Sequence, residues 1–306
     1  MNTTSRRTFL KLAGAASVAS FALRNTITLA ATPLGLPLGL QLYSLRELLP
    51  QDLDGTLKAI AAAGYTEVEA AGFYALTAKD FKESMDKAGL HCVSAHYPLD
   101  MLHPQLEPVL DYANQAGIRY IVCSSPSLPD PSRVKLSPKD PGYHQAWVEA
   151  FTIDDWKWNA EQFNRIAARV KERDMQFGYH NHVAEFHKIK NTVPYDVLVQ
   201  QTDPNLVTFE MDCGWVKFAG ANPVEYLTKY PARISMLHVK DFDLKNGTEH
   251  VSSTELGRGT IDYRPIFQAA KKGGHLTHLF VEQEEFDMPP LEAIKVDAEY
   301  MRGLTV

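Results

Sequence analysis

The sequence predicts an α/β chain folded as one (β/α)8 barrel, at residues 32–306, behind a leader at 1–31. Three observations carry this. Eight short apolar runs alternate with segments of helical period, the pattern of a parallel sheet with crossover helices. Several helical segments stop at a glycine just before the next run, where a left-handed cap is needed. No GxGxxG follows the first run, so an open dinucleotide-binding sheet has no support. A barrel of this kind takes about 250 residues, which a leader completes to the observed 306.

In chain order the runs are 38–43, 67–71, 91–96, 119–124, 176–180, 207–212, 234–238 and 276–282. Helical spacing occupies 53–63, 78–88, 106–116, 156–173, 223–229 and 263–272, with Gly64, Gly89, Gly117 and Gly273 as expected stops. One irregular stretch, 124–152, breaks the rhythm. It is rich in Pro, Ser and Asp and carries Tyr143, His144 and Trp147. Following the fourth run, it falls at the C-terminal face of the barrel and reads as a lid or substrate loop.

At the N-terminus, Ser5-Arg6-Arg7-Thr8-Phe9-Leu10-Lys11 precedes an acid-free apolar stretch and the small residues Thr28-Leu29-Ala30. This resembles a twin-arginine signal, so the expected location is the periplasm. Residues 1–30 hold four of the 31 basic residues and no acid, leaving 27 basic against 37 acidic residues in the remainder, a formal charge of −10. That field repels a phosphate backbone and argues against nucleic acid. The three cysteines, Cys92, Cys123 and Cys213, are far apart, odd in number and without CxxC spacing, so they make no disulfide framework.

Chemistry in such a barrel sits at the C-terminal strand ends. The fifth run ends in His180-Asn181-His182 with Glu185 beyond, the sixth in Glu210-Met211-Asp212, the seventh in His238-Val239-Lys240, the eighth in Glu282-Gln283-Glu284. Residues two apart in a strand share a face. Four adjacent strands therefore deliver imidazole and carboxylate to one rim, a nitrogen and oxygen donor set without thiolate. It suits one divalent metal: Mn2+, Mg2+, Co2+, Zn2+ or Fe2+. Earlier strands add Gln41, Tyr43, Ser44, Glu69 and His96.

The sequence resembles the sugar phosphate isomerase/epimerase family of xylose isomerase-like barrels. The marks are Gly39-Leu40-Gln41-Leu42-Tyr43-Ser44, Ala71-Gly72-Phe73-Tyr74, Gly178-Tyr179-His180-Asn181-His182, Asp212-Cys213-Gly214-Trp215, His238-Val239-Lys240-Asp241, Gly257-Arg258-Gly259-Thr260-Ile261-Asp262 and Val281-Glu282-Gln283. The resemblance implies a metal set of Glu, Asp, His, Glu on strands five to eight. Asp212, His238 and Glu282 match the last three. Strand five departs: His180 stands where the family has Glu, so either His180 or a folded-back Glu185 is the ligand. The catalytic candidates are Glu282, His182, Lys240 and Glu185, and the candidate substrate contacts Gln41, Tyr43, His96, Glu210 and Trp215; for Gln41, Tyr43 and His96, placed by their strand positions, a structural hydrogen bond is the equal alternative.

The activity so implied is metal-dependent isomerisation or epimerisation, with proton abstraction beside a carbohydrate carbonyl through a metal-stabilised enediolate. The imidazole at the strand-five position opens an alternative, a lyase, and the resemblance extends to family members that cleave 3-keto-glycosides by elimination. A non-catalytic sugar-binding barrel is the other class, but the retained Asp212, His238 and Glu282 speak against it. Export favours an unphosphorylated substrate. The expected partner is a small carbohydrate, with no nucleic acid and no stable membrane association after export; a homo-oligomer stays open.

Overall fold

The computed structural model describes residues 32–306, apart from 246 and 248–251; the expected leader at 1–31 lies outside the described residues. Eight parallel strands close on themselves: β1 (Gly39–Gln41), β2 (Glu67–Ala70), β3 (His91–Pro98), β4 (Tyr120–Ser125), β5 (Gln176–His180), β6 (Val207–Asp212), β7 (Ile234–Val239) and β10 (His278–Val281). Each pairs with its neighbours in sequence order, and β10 closes the ring between β7 and β1. The fold expectation holds, each expected run containing or overlapping its strand. Two further short strands, β8 (Asp241–Phe242) and β9 (Ser253–Thr254), form an antiparallel pair beyond β7.

The helices are α1 (Leu53–Ala62), α2 (Ala78–Ala88), α3 (Leu99–Ala116), α4 (Tyr143–Ala150), α5 (Ile153–Lys171), α6 (Pro194–Gln201), α7 (Cys213–Phe218), α8 (Pro223–Lys229), α9 (Tyr263–Gly273) and α10 (Pro290–Gly303). The stretch read as irregular is not structureless. It holds a 3-10 turn, Pro131–Arg133, and α4. Its Arg133 pairs with Asp155 at 2.8 Å and donates to the Ala150 carbonyl at 3.1 Å, while Thr152 and Asp155 form a reciprocal cap on α5. The segment is thus fastened to the barrel wall. Gly89 and Gly117 cap α2 and α3 with φ of 75° and 80°; after α9 the left-handed residue is Gly274, one position later than expected.

The barrel interior has an apolar plug, Val122, Met236 and Phe280. Phe280 fits because its neighbour across β1 is glycine: a Cβ on Gly39 would stand 2.5 Å from the ring. Above this plug the interior turns polar. The larger core lies outside the barrel, between strands and helices, where Phe163 on α5 packs on Phe177 and Tyr179 of β5. Strand parity does the sorting: Tyr179 faces the helices while Gly178 and His180 face inward. No helix of the described residues is long and apolar enough to cross a membrane.

Candidate metal centre and active site

Register sets the site. His180 pairs with Glu210 across β5 and β6, Asp212 with His238 across β6 and β7, and Gln41 with Glu69 across β1 and β2. Inward-facing residues near the C-terminal ends therefore meet at one level. His180 Nε2 lies 4.0 Å from Asp212 Oδ2; His238 Nδ1 lies 3.9 Å from that oxygen and 2.9 Å from Glu282 Oε2. One donor atom from each of these four residues falls within 4.8 Å of the others. Donors about 2.0–2.2 Å from a common ion stand at most about 4.4 Å apart, so small side-chain shifts would bring this set onto a divalent metal. The chemistry of the pocket agrees. Asp212 Oδ2 and Glu210 Oε1 are buried without a hydrogen bond, which is costly for carboxylates lacking a further cation. Lys240 Nζ is 3.2 Å from Asp212 Oδ2, an ion pair but not an aligned hydrogen bond.

A second polar layer backs the first. His96 Nε2 lies between Glu69 Oε1 at 2.9 Å and Glu210 Oε2 at 2.7 Å. Glu69 Oε1 also meets His238 Nε2 at 2.7 Å and accepts from Gln41 at 2.8 Å, and Ser94 donates to its other oxygen. Glu210 reaches His180 Nδ1 at 3.1 Å. His96, His180, Glu210 and His238 form an overlapping donor group. Burial opposes charge on His96, but Glu69 and Glu210 overcome it and lift the imidazole to about 9. Burial, then the Glu69 charge, raises Glu210 to about 7. Glu69 itself is held well below the usual carboxylate range, its burial outweighed by His96 and His238.

Lys240 is fully buried. Its ammonium contacts Glu282 at 2.9 Å, Asp212 and Glu284, and lies 4.7 Å from the Trp215 ring centre. Burial would discharge it, yet Asp212, Glu282 and Glu284 raise its affinity for the proton. It balances the charge of the carboxylates and is absent from the walls of the open cavity.

Glu185 does not join the cluster. Its carboxylate takes the Tyr179 hydroxyl and the His182 backbone N–H at 3.0 Å, on the helix-layer side of β5, and burial lifts it to about 7. The reason is parity: Tyr179 points away from the barrel axis, and Glu185 follows it. The strand-five side chain brought to Asp212, His238 and Glu282 is His180. Gln41, expected to touch substrate, is wholly buried behind Glu69. Trp215 is half-buried, against Lys240 and 6.0 Å from the His182 ring.

A cavity of about 350 Å³ opens at this end, lined by Tyr43, Ala71, His96, Pro98, Ser124, Ser125, His182 and Glu284. Glu282 keeps 7% exposure, whereas Glu69, Glu210 and Asp212 have none. Burial, followed by Lys240, pushes His182 down to about 3, so this imidazole is neutral. Glu284 was not among the expected site residues; sharing parity with Glu282 was the available signal. A larger cavity, about 630 Å³ near His187, Lys188 and Glu225, contains none of the cluster.

Residues 57–304 match the model of the xylose isomerase-like TIM barrel. The chain belongs to this family. An inosose dehydratase from Clostridium botulinum (strain Alaska E43 / Type E3) is 26% identical over 249 residues, 75% of this chain and 81% of the relative. The barrel superposes on a sugar phosphate isomerase/epimerase from Parabacteroides distasonis ATCC 8503 with a TM-score of 0.70 at 26% identity, covering 88% of this chain and 94% of that one. It also shares the fold of a xylose isomerase-like protein from Mycobacterium smegmatis in complex with magnesium, with a TM-score of 0.61 at 14% identity over 87% of this chain and 95% of that one. The relatives named by activity are enzymes.

Proposed function

We propose that this chain is a metal-dependent lyase acting on a cyclic, polyhydroxylated ketone: it removes the proton beside the carbonyl and expels the oxygen substituent one carbon further. The observation that carries this reading is the asymmetry of the site. Glu282 is the cluster carboxylate that keeps surface access, and strand five offers His180 in place of a second, opposed carboxylate. A proton shuttle between two faces of a carbon needs two such bases; elimination needs one base and a donor to the leaving oxygen. The inosose dehydratase relative supports the same class of reaction and substrate.

In this reading His180, Asp212, His238 and Glu282 hold the metal. The bound ion supplies Lewis acidity toward the substrate carbonyl. Glu282, kept anionic by Lys240 and His238 against the effect of burial, accepts the proton from carbon. The C–H electron pair becomes the new double bond, and the C–O bond at the next carbon breaks. His96 gives a proton to the departing oxygen, so that water or an alcohol leaves and an unsaturated ketone remains. Glu69 and Glu210 grip Nε2 of His96, and no described residue bonds Nδ1. The cavity wall contains no lysine or arginine among the described residues, which suits an unphosphorylated substrate and the expected exported location.

The test is a reaction in deuterated water with the manganese-loaded protein and an inosose or a 3-keto-glycoside, followed by NMR. Loss of water or alcohol with a new conjugated ketone supports the lyase. Solvent deuterium at the adjacent carbon with every C–O bond intact would refute it in favour of isomerisation or epimerisation, the activity named for the Parabacteroides distasonis relative.

A further inference from the structure

The fastened segment after β4 builds a second chamber against the first. This cavity, about 260 Å³, is bounded by Pro126, Tyr143, His144, Trp147, Ala184 and Glu185, with Ser125 and His182 at its edge. It shares Ser125 and His182 with the catalytic cavity, so the two meet along that edge. Tyr143 and Trp147 are four residues apart on α4 and so occupy one helix face. Both are half-buried, with ring surface left open to the chamber. The Trp147 indole is braced: it meets Phe151 edge-on at 4.7 Å, and Phe151 stacks at 4.7 Å on Trp156, which is buried in α5. A platform held this way loses little freedom when a flat group lies on it.

We infer that this chamber is a leaving-group subsite for a flat aromatic aglycone, and that the substrate is an aryl glycoside carrying a ketone on its sugar ring. The sugar occupies the cavity beside Glu284, the bridging oxygen lies at the shared edge within reach of His96, its proton donor, and the aglycone rests on Trp147. His182 suits the boundary: it borders both cavities, and no described side chain hydrogen-bonds its ring. The chamber walls favour an aromatic group over a second sugar. Pro126, Trp147 and Ala184 present carbon; Ser125, Tyr143, His144, His182 and Glu185 also line the chamber, but its exposed wall is mostly apolar and Glu185 is already held by Tyr179 and the His182 N–H. The inference rests on the lyase reading for its chemistry but not for its binding geometry.

The experiment separates the two. Binding of phenyl β-glucoside, methyl β-glucoside and cellobiose to the full chain is measured by calorimetry, for wild type, Trp147→Ala and Trp147→Phe. In parallel, each protein is assayed with an aglycone-free cyclic ketone. The expected result is at least a tenfold preference for the phenyl glucoside, lost in Trp147→Ala and largely kept in Trp147→Phe, with ketone turnover unchanged. An unchanged preference in Trp147→Ala overturns the subsite, as does tighter binding of cellobiose. If no ketone reacts but the preference depends on Trp147, the lyase reading fails and the subsite stands.

Discussion

Replacing Lys240 by Met tests the electrostatic design of the centre. Methionine preserves the length of the stem, so packing changes little, but the ammonium disappears. Three carboxylates then lose their buried cation: Glu282 at 2.9 Å, Asp212 at 3.2 Å, and Glu284. Removing one partner of a buried ion pair costs about 3–5 kcal/mol, because the remaining charge is left without compensation. For a domain of this size, each kcal/mol lowers Tm by about 2–4 °C, so the metal-stripped variant should melt roughly 6–20 °C below wild type at pH 7. The assay is thermal unfolding followed by circular dichroism, with and without Mn2+. The cluster gains one net negative charge, so the variant should bind Mn2+ more tightly, and the gap in Tm should narrow as the ion is added. A variant within about 2 °C of wild type in metal-free buffer would refute the argument, for the carboxylates would then be compensated by other groups.

Further outcomes are expected. Asp212→Ala with His238→Ala should abolish metal retention measured by mass spectrometry, and His180→Ala should weaken it by at least tenfold. Glu185→Gln, outside the cluster, should retain wild-type metal content; loss in Glu185→Gln alone would make Glu185 the strand-five ligand. His96→Gln should lower product formation about a hundredfold while deuterium still enters beside the carbonyl, since a general acid contributes about 10²–10⁴-fold; equal loss of both signals would remove His96 from the donor role. Asp297, buried on α10 with one oxygen accepting the Leu256 N–H at 2.7 Å, is raised by burial from 3.8 to about 7. The folded state thus keeps a proton that the unfolded chain releases, and wild type loses stability as pH rises through that window. Asp297→Asn should gain on wild type by about 3 kcal/mol between pH 5 and 8 in urea melts; parallel pH profiles would contradict this. Finally, Arg6→Lys with Arg7→Lys should leave the precursor in the cytoplasm on fractionation, and continued export would disprove a twin-arginine leader.

Much of this protein was legible in its residues because the relevant signals are local. Alternation with period two placed His180, Glu210, Asp212 and His238 on the inner face of their strands, and a glycine at the end of α2 or α3 needs only its own backbone to be read. The order of runs and helices was sufficient for a barrel, and parallel strands place all their C-terminal ends on one rim. Other features depended on closure of the ring. Glu69 meets His238 across 169 positions because β2 and β7 face one another inside the barrel, and no spacing in the chain encodes that distance. Gln41 sank behind Glu69, and Glu185 followed Tyr179 to the outer side of β5, because the choice between two polar neighbours was made by packing. Nor could the sequence tell that the stretch after β4 would be fastened by Arg133 and raise Trp147 against the active site. Sequence periodicity determines which face a side chain occupies. Only the closed, desolvated barrel decides which charges share that interior and what each must be paired with.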